Sequence, residues 1–432
     1  MFCHLDLKYQ MYKKTILDNG LRIITHRMPQ MQSVALGIWI KVGGRYESSK
    51  DKGISHYLEH LAFKGTKIYS CRKIKESIEG VGGSLNAATS EELTCYFVKL
   101  PSRYLDLALD ILSSMVINPI LSPVDIEKER TVILEEIKMI KDSPRDYVYD
   151  LLDGLLWPNQ PLGMSIAGTF ESVSRIKKED LSLFKTQYYN PSNIVVSAVG
   201  LLEHDKLSRI VQEFFSSLKE KNISKFSVVK EGQSKPQLEL FHKDTEQAHM
   251  ALGFHSFKKG HPLRYALGLL HVILGANMSS RLFNELREKR GLAYEIGTQI
   301  KFFQDTGEFV VHAGIDNQKV NNAIKLILEE LEKVKDKLVT RDEFRRAKEF
   351  YLGQLTLALE DTLDHMLWIG EFTASLDKTY TLDDIIKEMN KIKREDIQKV
   401  AQYIFKEESL NLALIGPLKD SQDKIYRQLH LR

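Results

Sequence analysis

Cysteine is scarce in this chain. Cys3, Cys71 and Cys95 are the only three in 432 residues, at neither disulfide-framework nor zinc-finger spacing, so reduced thiols in a cytoplasm-like compartment are expected. Long hydrophobic runs are missing too. The most apolar stretch, residues 267–276, is too short to span a bilayer and is broken by Gly268, His271 and Gly275. Charge of one sign is also lacking: the net charge is +3 with both signs mixed throughout, which gives no reason to expect nucleic acid or a membrane as a partner. Residues 1–14 contain neither an apolar signal core nor an arginine-rich amphipathic pattern, and Met11 is an alternative start. The expectation is a soluble protein of a bacterial cytoplasm, with the mitochondrial matrix as the alternative. No Gly-x-Ser-x-Gly elbow and no Gly-x-x-x-x-Gly-Lys loop occurs, so serine-hydrolase and phosphate-loop chemistry lose their usual signatures.

What is present is chemically pointed. In Gly53-Ile54-Ser55-His56-Tyr57-Leu58-Glu59-His60-Leu61-Ala62-Phe63 the two histidines stand one helical turn apart and leave the same face. Ile54, Leu58, Leu61 and Ala62 form the opposite, core-facing stripe. Neutral imidazoles at i and i+4 can share a zinc ion, leaving Glu59 free to act as a base on water. The order His-x-x-Glu-His is the inverzincin one. The other reading of the same residues is a pair of partly buried histidines capped by a glutamate, and a metal site needs a third ligand.

Residues 124–141 read as one helix with Ile126, Ile133, Ile137 and Ile140 on its apolar side, interrupted by Glu129 and Glu136. A carboxylate facing a core is costly unless compensated. A metal at Glu136, with Glu129 accepting a hydrogen bond from a ligand histidine, would compensate both. Alternatively the helix is rotated so that both glutamates reach water beside Glu135.

An internal repeat sets the architecture. Ile176-Lys177-Lys178-Glu179-Asp180-Leu181 is echoed by Ile392-Lys393-Arg394-Glu395-Asp396-Ile397, and the same offset carries Ala35-Leu36-Gly37 onto Ala251-Leu252-Gly253 and Gly200 onto Gly416. The division expected is a domain at 11–217, a linker at 218–235 rich in Lys, Ser and Gly, and a second domain at 236–432. Strand-like runs at 21–24, 34–42, 94–100, 237–241 and 249–256 are grouped apart from the helical periodicity, which makes the fold class α+β. Only the first half carries the metal pattern. Residues 264–271 of the second half hold a single histidine, His271, read as packed and satisfied.

Between these features lies Gly82-Gly83-Ser84-Leu85-Asn86-Ala87-Ala88-Thr89-Ser90. Its small residues suit either a glycine turn before the strand at 94–100 or an exposed edge to which an extended peptide adds as a strand. In the second half, residues 279–290 read as a helix closed by Gly291 at its C′ position.

The pattern His56-Tyr57-Leu58-Glu59-His60, with Glu136 following 76 residues beyond His60 in a Glu-Arg-Thr-Val-Ile-Leu-Glu-Glu-Ile segment, resembles the pitrilysin/insulinase zinc peptidases, most closely their mitochondrial-processing-peptidase-like branch. The resemblance covers nearly the whole chain. It implies two similar domains, each a mostly antiparallel sheet with helices on one side. It implies one zinc ion per chain on His56, His60 and Glu136, with Glu59 as general base and Glu129 as a supporting carboxylate. Gly83, Leu85, Asn86 and Ala87 then belong to a substrate-binding edge, and Arg287 and Tyr294 of Arg…Gly-Leu-Ala-Tyr contact the substrate backbone. The function expected is endopeptidase cleavage of extended peptides by a homodimer, or by a heterodimer with a related subunit. The alternative is a non-catalytic scaffold or partner subunit of the same fold. A purely structural zinc is disfavoured, because such a site would close its fourth position with Cys or His.

Overall fold

A computed structural model of the chain describes residues 12–220, 224–418 and 421–431. Cys3, Met11 and part of the 218–235 linker lie outside them. Eleven strands in these residues form two sheets. The first contains β1 (Lys13–Ile16), β2 (Arg22–Arg27), β3 (Ser33–Ile40), β4 (Ser84–Thr89), β5 (Thr94–Pro101) and β6 (Ile194–Gly200), in the order β1-β2-β6-β3-β5-β4. The second contains β7 (Gln237–His242), β8 (Gln247–Ser256), β9 (Ala293–Phe302), β10 (Gly307–Asp316) and β11 (Asn411–Gly416), in the order β7-β11-β8-β10-β9. Each sheet is antiparallel except for one parallel pair, β2 with β6 and β7 with β11. Strand order and parallel pair thus recur in the two sheets. The repeated Lys-Lys-Glu-Asp and Lys-Arg-Glu-Asp segments cap their helices identically: Lys177 N donates to Asp180 Oδ2 at 2.8 Å, and Lys393 N to Asp396 Oδ2 at 2.9 Å.

The chain separates into two compact units that are discontinuous in sequence. One is residues 1–135, 165–227 and 356–382; the other is 136–164, 228–355 and 383–432. A cut near 218–235 follows the strands, but two helices group across it. The helix Thr362–Leu376 places Met366, Ile369 and Ala374 on Ile24, Ala35, Trp39, Val195 and Val199 of the first sheet. The helix Pro144–Leu156 places Val148, Leu152 and Leu156 on Ala251, Val310, Ala413 and Ile415 of the second. Helices confined to one side of each sheet are therefore only part of the arrangement. Strands such as β6, buried at every residue, have both faces covered, and the crossing helices supply cover that periodicity within one half does not reveal. The first unit's boundary at Glu135 falls inside one continuous helix, Pro123–Asp142.

Candidate metal centre

The helix Ile54–Ala62 starts at Gly53, whose φ of +94° is left-handed; a Cβ there would lie 2.7 Å from the Ala167 carbonyl oxygen. Its first amides are met from outside the helix. Glu47 accepts from Gly53 N through Oε2 at 2.9 Å and from Ser55 N through Oε1 at 2.8 Å, a carboxylate placed where the helix dipole favours it. Glu47 is buried and balanced by Lys52, whose Nζ lies 3.6 Å away. Ile54, Tyr57, Leu58, Leu61 and Ala62 are buried, and the Tyr57 hydroxyl donates to the Ile126 carbonyl of helix Pro123–Asp142.

With that face fixed, His56 and His60 emerge together. Their Nε2 atoms are 3.2 Å apart, and one ligand atom from each of His56, His60 and Glu136 lies within 4.8 Å of the others. No other cluster of this kind occurs among the described residues. Burial, and then the neighbouring His60, push the pKa of His56 down to about 4, so near neutrality its imidazole is uncharged, the form a metal needs. The helix register is the expected one: Ile126, Ile133 and Ile137 are buried, Glu129 is 4% exposed, Glu136 is half-buried in the cluster and Glu135 is exposed. Glu129 Oε2 lies 3.1 Å from His60 Nδ1, an arrangement that with Nδ1 donating leaves His60 Nε2 to face His56. The donor set of two imidazoles and a carboxylate fits zinc, and three protein ligands leave a position open, as catalytic sites do.

Glu59, between the histidines, accepts a hydrogen bond from Thr89 Oγ1 at 2.5 Å. Thr89 ends β4, an edge strand of the first sheet, so residues 84–89 form a strand and not merely a turn. Leu85, Asn86 and Ala87 lie on this edge and Gly83 just precedes it. The buried Cys95 thiol on β5 is pushed well up by burial and by Glu59, and neither Cys71 nor Cys95 is in a disulfide.

Arg287 and Tyr294 belong to the second unit. The Arg287 guanidinium lies 5.2 Å from the centre of the Tyr294 ring and 4.8 Å from that of Phe283, and Tyr294 is 74% exposed. Gly291 ends this segment with φ +55°, yet Phe283–Glu288 is wound as a π-helix and not as an ordinary α-helix. Lys289 N reaches back to Asn284 O at 2.9 Å, one residue further than in an α-helix, and Leu292 N reaches Leu286 O at 2.8 Å, two residues further, across the turn at Gly291. In the helix Arg264–Leu274, His271 Nδ1 is paired with Thr298 Oγ1 at 2.7 Å, as a packed histidine should be.

Three contributors escaped sequence reasoning: Glu47, Thr89 and Lys64, whose Nζ lies 2.5 Å from Glu129 Oε1. Lys64 carried a usable signal, since it follows His60 by one helical turn. Glu47 and Thr89 carried none, because their partners depend on tertiary structure.

Two family models match the chain. Insulinase (Peptidase family M16) matches residues 22–170, and Peptidase M16 inactive domain matches residues 175–351. The chain is 37% identical to the uncharacterized zinc protease YmxG of Bacillus subtilis, over 94% of this chain and 98% of that protein. It is 36% identical to an uncharacterized zinc protease of Rickettsia felis, over 93% and 96%. A crystal structure of a protease from Helicobacter pylori superposes with a TM-score of 0.90 at 27% identity, over 94% of this chain and 99% of that one. A Pseudomonas fluorescens structure described as a peptidase M16 inactive domain shares the fold, with a TM-score of 0.88 at 17% identity, over 94% and 98%. Among the described residues no helix is long and apolar enough to cross a membrane.

Proposed function

The chain belongs to the insulinase family, peptidase family M16, and from that premise we propose that it is a zinc-dependent endopeptidase acting on extended peptides or unfolded segments. The observation that carries this is the cluster of His56, His60 and Glu136, the one of its kind among the described residues, with Glu59 on the helix of the two histidines. Zinc held there, one ion per chain, would supply Lewis-acid polarisation of the scissile carbonyl and of the attacking water.

Glu59 takes a proton from the water and passes it to the leaving amine. Thr89 donates to Glu59 Oε2 and so ties the carboxylate to the end of β4. Glu129 orients His60 through Nδ1. The β4 edge, with Leu85, Asn86 and Ala87, receives the peptide backbone as an added strand, which makes recognition tolerant of sequence. Arg287 and Tyr294 grip the substrate near the scissile bond, where a cation and a phenol favour the developing oxyanion. The working unit in this reading is a homodimer.

A non-catalytic scaffold of the same fold is the competing reading, but the intact set of His56, Glu59, His60 and Glu136 speaks against it. The test is metal analysis together with cleavage of an unstructured peptide library, before and after chelation. Zinc near one equivalent, with cleavage that stops on chelation and returns with zinc, is the expected result. Metal-free, inactive protein that stays inactive with added zinc would leave the scaffold.

A further inference from the structure

Behind the ligand atoms the proposed metal site has a supporting layer that reaches one residue beyond Glu129. Glu129 is 4% exposed, and its two carboxylate oxygens are divided between two donors: Oε2 faces His60 Nδ1 at 3.1 Å, and Oε1 faces Lys64 Nζ at 2.5 Å. Lys64 lies just past the helix Ile54–Ala62. The helical path nevertheless continues to it, since Phe63 keeps φ −83° and ψ −11° and Lys64 N donates to Leu61 O at 3.1 Å. His56, His60 and Lys64 thus follow one another at four-residue steps on one side of the helix.

A buried carboxylate is expensive unless charge and hydrogen bonds compensate it. A lone oxygen contact would also leave it free to turn about its terminal bond. Lys64 removes both problems by supplying the charge and occupying the oxygen that His60 does not use. We propose that Lys64 is a positioning residue for the metal centre: through Glu129 it fixes the ring of His60 with Nε2 directed at the point shared with His56 and Glu136. The proposal rests on the reading of those three residues as zinc ligands.

The test uses full-length protein stripped of metal. Zinc affinity is measured by competition with a chromogenic chelator for the wild type, Lys64→Met and Lys64→Arg, and the visible spectrum of each cobalt-loaded form is recorded. Lys64→Met should bind zinc about tenfold more weakly and alter the cobalt spectrum, while Lys64→Arg, which keeps the charge and a donor, restores both most of the way. The metal-free proteins should unfold at similar temperatures; should Lys64→Met fail to fold, Lys64→Gln takes its place. Unchanged affinity in a folded Lys64→Met would overturn the proposal, and tighter binding would do so as well, because the ammonium would then only repel the metal. A wild type that binds no zinc would remove the metal reading, and the proposal with it, before any Lys64 variant is compared.

Discussion

Thr89 Oγ1 donates to Glu59 Oε2 across 2.5 Å and so joins the end of the β4 edge to the carboxylate on the histidine-bearing helix. A neutral donor on an ionised acceptor contributes about 1.5–3 kcal/mol. Thr89→Val, close in shape but without the hydroxyl, should therefore lower kcat by about 10- to 100-fold with zinc content unchanged. Thr89→Ser should stay near wild type. Equal losses in Val and Ser variants would assign the effect to packing of the strand end.

Glu59→Gln should keep its zinc and lose activity by roughly 10²- to 10⁴-fold, since the amide fills the same space but takes no proton from water. Metal analysis separates this from His56→Ala, which should lose the ion. If both variants came out metal-free, Glu59 would be a ligand and not a base.

The carboxylates of helix Pro123–Asp142 make a graded series. Glu136→Gln should strip most of the zinc at fixed chelator, Glu129→Gln should weaken affinity or rate by roughly 10- to 100-fold, and the exposed Glu135→Gln should leave both unchanged. Severe metal loss in Glu135→Gln alone would contradict the cluster geometry.

Much of this was legible because it is local. The i, i+4 histidines and the buried isoleucines around Glu129 and Glu136 each depend on spacing within a single helix. What was illegible depends on segments distant in sequence. Nothing near Met366 or Ile369 says that their helix covers Trp39 and Val195 of the first sheet, because an apolar helix face does not name its partner. Glu47 looks like a surface glutamate until the fold brings it to the amides of Gly53 and Ser55. Around Arg287 the periodicity shows a helix, but its π winding shows in backbone bonds such as Lys289 N to Asn284 O, which composition does not encode.

The crossing helix Thr362–Leu376 also makes stability depend on pH. His365 is 1% exposed between Tyr12, whose hydroxyl is 3.0 Å from Nε2, and the Leu359 carbonyl, 3.0 Å from Nδ1, with the His26 ring 4.7 Å away. Burial, and then His26, push its pKa from 6.5 down to about 4. The unfolded chain takes up this proton first, so the contribution is complete above about pH 6.5, declines as pH falls toward 4 and is flat below. It amounts to about 3 kcal/mol at most. Urea unfolding at several pH values should show a steeper decline between pH 6.5 and 4 for wild type than for His365→Gln, and parallel curves would sink the assignment.

The final prediction concerns assembly. The metal cluster includes His56 and His60 of the first unit, whereas Arg287 and Tyr294 belong to the second, which has no metal cluster of its own among its described residues. In the proposed homodimer the gripping pair of one chain serves the zinc site of the other. Glu59→Gln and Arg287→Ala chains, each inactive alone, are mixed under conditions that exchange subunits, with exchange verified by differently tagged chains. Each mixed dimer then contains one site with an intact Glu59 and an intact Arg287. If chains pair at random, half the dimers are mixed and each has one of two sites working, so activity should recover to about a quarter of wild type. Absence of recovery despite verified exchange would assign Arg287 to the zinc site of its own chain. A monomer that cleaves peptides at the full rate would remove the dimer from the mechanism altogether.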